Sequence, residues 1–325
     1  MNLQVKVLLV SFISTIVLSN IMIPILKKLK VGQNEREDGP KSHFKKAGTP
    51  TMGGVIIIVS AIIGAIVGTT LLSETNQEIS KRITPLLLPI VGFGLIGFVD
   101  DFTKLKGKNT KGISPIFKIL GLLIIAVSYV LYLIYGLQMG TSTYIPILKT
   151  YIEIPIWLYI PAIVFVLVGA PNAVNLTDGI DGLASGITTI LIACITVISI
   201  VFNVPELSVM GSVITGSCIG FLLFNMHPAS VFMGDTGSLA LGGAIAVMIT
   251  YLKMPLLLGI IFIVPIVETI SVMIQVVYFK KTGNRIFKMA PIHHHLELSG
   301  WSENKVVSFA TFVTIVVCII GVLVV

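Results

Sequence analysis

Long apolar runs alternate with short polar segments along the whole chain. Each run approaches the length of about 20 residues that a helix needs to cross the hydrocarbon core of a bilayer. The pattern predicts about ten transmembrane helices, at residues 5–26, 51–72, 83–99, 115–136, 157–174, 185–203, 207–225, 237–252, 256–279 and 304–325. The expected fold is an all-α polytopic integral membrane protein, with residues 1–325 forming one domain.

Composition supports the membrane assignment. Apolar residues make up 55% of the chain and charged residues 11%, whereas soluble domains carry about 25% charged residues. The first apolar run has only Lys6 before it, and no small-residue cleavage site follows it. We therefore expect a retained anchor and not a cleaved signal peptide.

Basic residues are concentrated on one face of this topology. All but five of the 22 Lys and Arg residues lie there, and the exceptions are Lys6, Lys81, Arg82, Lys149 and Lys253. The positive-inside rule makes that face cytoplasmic and places both termini on the outer side. The cytoplasmic loops are then about 27–50, 100–114, 175–184, 226–236 and 280–303, and they hold all five histidines.

Net charge and cysteine content add little to this picture. The net charge of +7 is explained mainly by the positive-inside bias and by attraction to anionic lipids. Nucleic-acid binding gains no support, because the basic residues interleave with acids and lack an aromatic stacking platform. Cys194, Cys218 and Cys318 lie within apolar runs without metal-ligand spacing, which is typical of packing residues.

Asp100 and Asp101 stand where an apolar run meets water. Adjacent carboxylates at a helix end point in different directions, so one can face a metal or a phosphate while the other holds a lysine or a backbone amide. Their mutual repulsion requires a cation, either a divalent metal or the following Lys104, Lys106 and Lys108. The alternative is an acidic boundary that simply stops the span.

The segment NLTDGIDG at residues 175–182 is a second polar element. Its two glycines let backbone amides approach a ligand closely, while Asp178 and Asp181 offer acceptors to a base, a sugar or a metal. An ordinary polar turn between two spans is the alternative.

The segment FMGDTGS at residues 232–238 opens the next span. Asp235 is expected near the helix start, where free amides and the positive end of the helix dipole favour phosphate oxygens. A capping role for Asp235 or Ser238 is the alternative, and the two roles are compatible.

His293, His294 and His295 follow one another in the last basic loop. Consecutive histidines cannot all reach one tetrahedral zinc ion, so contact with an anion is the better functional interpretation. A solvated loop is the alternative. Loop 38–54 mixes glycine, proline and hydroxyl residues with Lys45 and Lys46, but it matches no Walker pattern.

Taken together, these segments resemble one family. The motifs GTPTMGG at 48–54, VDD at 99–101, NLTDGIDG at 175–182, VFMGDTGS at 231–238 and APIHHHLELSGW at 290–301 are similar to those of the phospho-N-acetylmuramoyl-pentapeptide transferases, within the polyprenyl-phosphate hexosamine-1-phosphate transferases. The resemblance implies a single transmembrane transferase domain in the bacterial inner membrane. It also implies Mg²⁺ dependence, a homodimer, and transfer of phospho-N-acetylmuramoyl-pentapeptide from UDP to undecaprenyl phosphate, which gives lipid I and UMP.

The resemblance also assigns residues to roles. It implies that Asp235 binds magnesium, that Asp100 activates the lipid phosphate with Asp101 as its partner, and that the three histidines contact phosphate or sugar. A uridine pocket would comprise Lys108, Gly179, Asp181 and Phe232, with the Phe232 ring stacked on uracil. The remaining polar lining would comprise Lys46, Thr51, Asn175, Asp178 and Asn225. Attack on the phosphorus is either direct or passes through an aspartyl-phosphate on Asp100.

One structural feature and the function itself leave alternatives open. Pro265 is expected to kink the span 256–279 near Glu268 and to open a lateral groove for the prenyl chain, or merely to kink a packed helix. A secondary transporter would place its ionisable groups near the bilayer midplane, whereas here they gather at one face. A sister transferase with a UDP-N-acetylhexosamine donor is the nearer alternative.

Overall fold

In the computed structural model, residues 2–28, 48–106 and 112–325 are described, except for the Lys106 side chain. Lys46 and Lys108 therefore lie outside the described residues. The first half of the chain contains α1 Leu3–Lys28, α2 Gly54–Ser73, α3 Gln77–Ser80, α4 Ile83–Lys106 and α5 Pro115–Leu131, which continues as a π-helical turn Tyr132–Gly136. An antiparallel pair follows, β1 Ser142–Ile145 and β2 Thr150–Glu153, with Ser142 opposite Glu153.

The second half of the chain is again helical. It contains α6 Ile156–Thr177, α7 Leu183–Val201, α8 Pro205–Asn225, α9 Gly234–Tyr251, a 3-10 turn Pro255–Leu257, α10 Leu258–Ile261, α11 Ile263–Thr282, α12 Ile292–Leu298 and α13 Glu303–Val324. Apart from the two four-residue strands, this is the all-α membrane fold that the apolar pattern predicts.

Nine helices within the described ranges are long and apolar enough to cross a membrane. The tenth expected span, 237–252, is the helix α9, and it is less apolar than the other nine. Its residues from Thr236 to Tyr251 are all buried, and its main contacts are with α4 and α6. A helix surrounded by protein faces no lipid, so it can hold many small residues in place of large apolar ones.

Contacts at its two ends show that α9 runs the full length of the bundle. At one end, the backbone amides of Asp235 and Thr236 contact Asp101, near the end of α4. At the other end, the Tyr251 hydroxyl donates to Glu206 at the start of α8, 2.6 Å away, and Arg82 contacts the same carboxylate at 3.3 Å. The helix α9 therefore reaches between the same two ends as α4 and α8. We call the end that holds Asp101 the site end.

Small residues allow α9 to lie close to its neighbours. A β-carbon on Gly54 of α2 would come 2.0 Å from the Gly237 nitrogen, and one on Gly97 of α4 would come 2.1 Å from the Asp235 carbonyl oxygen. Both distances are far below van der Waals contact, so only glycine fits at these two positions. The close approach fixes the start of α9 against the end of α4.

The predicted kink at Pro265 is wrong in position. The chain breaks at Phe262, which lies between α10 and α11 and has φ −93° and ψ 20°. Pro265 instead lies in the first turn of α11, where its missing N–H removes no helical hydrogen bond. Glu268 is buried there and is bound to His293, so it does not line a lateral groove.

The strand pair lies at the end of the bundle opposite the site end. The ammonium group of Lys253, just after α9, donates to the carbonyl oxygen of Met139 at 2.5 Å and to the Ser142 hydroxyl at 2.7 Å. The apolar pattern did not predict these strands, because each is only four residues long and lies in a loop between two spans.

Candidate active site

Three carboxylates meet at the site end. Asp100 and Asp101 come from the last turns of α4, and Asp235 comes from the first turn of α9. One oxygen from each lies within 4.8 Å of the others, which is close enough for all three to hold one metal ion. Asp100 and Asp101 are almost completely buried, so this concentration of negative charge requires nearby cations.

Asp101 caps α9 from another helix. Its Oδ1 accepts from the backbone N–H of Asp235 at 3.1 Å, and its Oδ2 accepts from the N–H and the hydroxyl of Thr236, at 2.9 and 2.6 Å. Our expectation that free amides at this helix start would bind phosphate is therefore wrong for these two amides. The capping residue is Asp101, and neither Asp235 nor Ser238 fills that role.

Asp100 faces away from this cap. Its Oδ2 lies 2.6 Å from the Lys104 ammonium group, and its Oδ1 accepts from the backbone N–H of Ile113 at 2.8 Å. A side chain at residue 112 would collide with the Asp100 carboxylate, so Gly112 allows the approach. The adjacent acids thus point in different directions, with Asp101 on backbone amides of α9 and Asp100 on Lys104 and the Ile113 N–H.

Asp235 is held by side chains from three other helices, α4, α5 and α6. Its Oδ2 lies 3.1 Å from the Lys104 ammonium group and 2.8 Å from that of Lys118, and its Oδ1 accepts from the Asn175 amide at 2.8 Å. Sequence reasoning did not single out Lys118. The available signal was one basic residue in the first turn of an otherwise apolar span, which is a costly place for a charge unless it has a partner.

Asn175 and Asp178 lie at the end of α6, beside this cluster. The Asn175 amide also donates to the Ser238 hydroxyl at 2.9 Å, so it links α6 to the first turn of α9. Burial, together with the negative charges of Asp235, Asp101 and Asp181, raises the pKa of Asp178 to about 8. Asp178 therefore holds a proton at neutral pH, unlike an ordinary surface aspartate.

The glycine turn packs directly on a histidine. A β-carbon on Gly179 would lie 2.1 Å from Nε2 of His293, which explains why glycine is required there. His293 is fully buried, its Nε2 has no hydrogen-bond partner, and its Nδ1 lies 3.0 Å from Oε2 of Glu268. The Glu268 carboxylate thereby fixes the orientation of the ring.

Sequence reasoning noted Glu268 only as an acid near the expected kink at Pro265, and it missed this pairing. A lone acid in an apolar span nearly always has a polar partner, but the partner lies 25 residues away in the next helix. Nothing in the spacing identifies it.

The three histidines have three different environments. His294 Nδ1 lies 2.9 Å from Oε2 of Glu297, and its ring is tilted against that of His293 with centroids 4.2 Å apart. His295 Nδ1 accepts from the backbone N–H of Lys288 at 3.1 Å, and its ring packs edge-on against Phe287. The buried His293 is thus enclosed by protein, whereas the other two rings keep some exposure.

Asp181 and Asn225 are buried and bound within the protein. Oδ2 of Asp181 contacts Nδ1 of His227 at 3.0 Å and accepts from the backbone N–H of Ala229 at 3.1 Å. Asn225 accepts from the Ser185 hydroxyl at 2.5 Å and donates to the carbonyl oxygen of Val231 at 3.0 Å. Both side chains hold the loop between α8 and α9 in place.

Thr51 and Phe232 lie in two segments that run side by side. The backbone N–H of Phe232 donates to the Pro50 carbonyl at 2.8 Å, and the N–H of Gly53 donates to the Phe232 carbonyl at 2.9 Å. The Phe232 side chain is half-buried. A β-carbon on Gly234 would lie 2.9 Å from the Thr51 hydroxyl and 2.7 Å from Oδ2 of Asp101, so Thr51 borders the acidic cluster.

Comparison with known proteins shows which proteins the chain resembles. The chain matches a family model described as glycosyl transferase family 4 over residues 83–253 and a phospho-N-acetylmuramoyl-pentapeptide-transferase signature over residues 46–58. A phospho-N-acetylmuramoyl-pentapeptide-transferase from Halalkalibacterium halodurans is 48% identical over 95% of this chain and 92% of its own length. Those from Acetivibrio thermocellus and Clostridium perfringens strain 13 are 44% and 46% identical over 98% of this chain, and over 94% and 97% of their own lengths.

Proposed function

The chain belongs to the phospho-N-acetylmuramoyl-pentapeptide-transferase family, and we propose that the acidic cluster at its site end is the reaction centre. The enzyme transfers phospho-N-acetylmuramoyl-pentapeptide from its UDP carrier to undecaprenyl phosphate, which forms lipid I and UMP in the first membrane step of peptidoglycan synthesis. The observation that carries the placement is the meeting of Asp100, Asp101 and Asp235 with two lysines. The charge distribution supports a cytoplasmic location for this end, in the bacterial inner membrane.

The cofactor that fits this cluster is Mg²⁺. Three carboxylates within reach of one point offer the hard oxygen ligands that Mg²⁺ prefers. Asp235 and Asp100 would hold the ion. Asp101 would contribute less, because both of its oxygens accept from backbone N–H groups in the first turn of α9, whereas the donors to Asp235 are lysine and asparagine side chains. When bound, the ion offsets negative charge on the phosphate oxygens.

The residues of the cluster then have distinct roles in phosphoryl transfer. A phosphate oxygen of the lipid attacks the sugar-linked phosphorus, and the bond from that phosphorus to UMP breaks. We assign to Asp100 the removal of the remaining proton from the lipid phosphate. Lys104 and Lys118, which contact Asp235 at 3.1 and 2.8 Å, supply positive charge to the reacting oxygens and to leaving UMP.

The donor nucleotide belongs to the adjoining surface. We assign the uridine pocket to Phe232, the 178–182 turn and Lys108, with Lys46, Thr51 and Asn175 on the phosphate side. Since Asp181 and Asn225 are buried and bound by neighbouring residues, they act by holding the walls of this pocket. The half-buried Phe232 ring offers a face for uracil.

The test of the reaction centre is Asp235→Asn. The substitution removes a charge with almost no change in volume, so the protein should fold while turnover falls about 100-fold or more, equivalent to about 2.7 kcal/mol of transition-state stabilisation. UMP release is the activity readout, and binding of Mn²⁺ detected by electron paramagnetic resonance is an independent readout of the metal. Near-normal turnover and Mn²⁺ binding in a folded Asp235→Asn protein would disprove the assignment.

The uracil platform has a separate test. Stacking a base on an aromatic ring contributes about 1–3 kcal/mol, so Phe232→Ala should weaken UMP binding by about 5-fold to 150-fold. Phe232→Trp keeps an aromatic face and should retain most of the affinity, whereas Phe232→Leu keeps only apolar bulk. Equal UMP affinity in the wild type and the Leu and Trp variants would refute stacking.

We infer a homodimer from family membership alone. Cross-linking in native membranes, followed by mass determination of the purified complex, measures the number of subunits. A monomer at all protein concentrations would contradict the inference.

A further inference from the structure

The turn 178–182 is held from two sides by histidine–carboxylate pairs. On one side, Glu268 orients His293, whose ring packs on Gly179. On the other side, Asp181 contacts His227, which also lies near Glu303. Both outer acids come from the C-terminal part of the chain, from α11 and α13. The turn is therefore fixed by helices that follow it by more than 80 residues.

His227 joins three separate segments. Its Nδ1 lies 3.0 Å from Oδ2 of Asp181 in the turn and 3.5 Å from Oε2 of Glu303 in the first turn of α13. The ring itself belongs to the loop between α8 and α9, and its side chain is 39% exposed while both carboxylates are nearly buried. Asp181 and Glu303 are the charged groups that face the ring.

The short contact has the length of an N–H···O hydrogen bond. The backbone N–H of Ala229 donates to the same Asp181 oxygen at 3.1 Å, so this oxygen is an acceptor and the ring nitrogen is the donor. These three side chains also offer ligand atoms close enough for a metal, but the hydrogen bond accounts for their approach without one.

We propose that His227 is a positioning residue for the donor nucleotide. By donating from Nδ1 to Asp181 it fixes the turn 178–182 relative to Phe232, five residues further along the same loop. The inference rests on the proposed function, because it takes the turn as part of the donor site. It adds a residue that touches neither the nucleotide nor the reacting phosphates.

Three substitutions separate the hydrogen bond from the bulk of the ring. In His227→Asn the amide nitrogen can take the place of Nδ1 and still donate to Asp181. In His227→Gln the amide lies one carbon further out, and in His227→Leu no donor remains. Losing a hydrogen bond to a charged group corresponds to about 10-fold or more in binding. We therefore expect the Gln and Leu variants to bind UMP about 10-fold more weakly, with a raised donor KM and unchanged kcat, and the Asn variant to stay within about 3-fold of wild type.

The matched control is Ser302→Ala. It removes the cap of α13, where the Ser302 hydroxyl accepts from the Lys305 N–H, and leaves the three side chains of the contact intact. It should lower the melting temperature without changing UMP affinity. UMP titration in detergent on folded protein gives the result for each variant.

The outcomes are distinct. If wild-type protein fails to bind UMP or to release it, the proposed function itself is wrong. If wild type binds UMP and the Gln and Leu variants bind it equally well, the positioning role is refuted. If the Asn variant loses as much affinity as the Leu variant, the hydrogen bond from Nδ1 is not the cause, and the proposal fails as well.

Discussion

The sharpest prediction concerns Asp101, whose carboxylate caps a helix to which it does not belong. Asparagine has nearly the same shape, but it replaces one acceptor oxygen with an NH₂ group. Because both oxygens of Asp101 accept backbone N–H groups of α9, either amide orientation places a donor against a donor. We therefore expect Asp101→Asn to destabilise the fold as well as to lower activity.

The magnitude follows from the bonds that are lost. A hydrogen bond to a charged group contributes about 1.5–3 kcal/mol, and loss of a helix cap costs about 1 kcal/mol. Asp101→Asn breaks at least one such bond and leaves a buried N–H unpaired, so the expected loss is about 2–4 kcal/mol. Thr236→Val removes only the hydroxyl bond of 2.6 Å and should cost about 1–2 kcal/mol.

Asp100→Asn is the matched control, since it changes the adjacent acid in the same way. Asparagine at residue 100 keeps an acceptor for the Ile113 N–H, and the ion pair that it loses is with the partly exposed Lys104, so we expect a smaller loss of stability than for Asp101→Asn. Thermal unfolding of each purified variant in the same detergent, followed by circular dichroism, gives the comparison. Equal melting temperatures for the Asp100→Asn and Asp101→Asn proteins would refute the capping role.

Three further predictions follow from single contacts. Gly179→Ala should lower stability by about 1–3 kcal/mol, because its β-carbon would overlap the His293 ring. In a double-mutant cycle, His293→Ala should relieve part of that loss. If the two stability losses simply added, the contact would be contradicted. Burial is the main reason that the pKa of Asp178 is raised from 3.8 to about 8, so the contribution of its protonated form to stability is present at low pH and is lost as pH rises through about 8. The melting temperature of Asp178→Asn should therefore rise relative to wild type between pH 6 and pH 9. A constant difference between the two melting temperatures would contradict the raised pKa. A cysteine introduced at Asn284 should be protected from an impermeant thiol reagent in intact cells, while one at Asn76 should be labelled. The native cysteines are buried and should not react. The reverse labelling pattern would overturn the predicted orientation.

The apolar pattern predicted most of the fold because bilayer thickness constrains helix length so strongly. The pattern also predicted the buried helix α9, because its run of small and apolar residues is far longer than a loop between two spans. The break at Phe262 was not predictable, because proline draws attention to its own position although it is well tolerated in a first helical turn.

The sequence motifs predicted which acids and histidines form the site, but they could not predict what each one contacts. Asp101 and Asp235 stand 134 residues apart, and His293 and Glu268 stand 25 apart. Only the packing of α4 against α9, and of α11 against α12, brings these pairs together. The family motifs predicted His293, Asp181 and Asn225 as site residues, and in the structure all three are enclosed by protein.

This burial suggests how the site can be both charged and rigid. Asp235, which contacts side chains of three other helices, lies in the first turn of the helix that is most completely enclosed, and the cap on that helix is another acid of the same cluster. Any movement of α9 would therefore shift Asp235 and break the bonds to Asp101 at the same time. Lys104 of α4 and Lys118 of α5 place two ammonium groups against the three carboxylates, so the carboxylates still outnumber the ammonium groups and the cluster remains attractive to a cation.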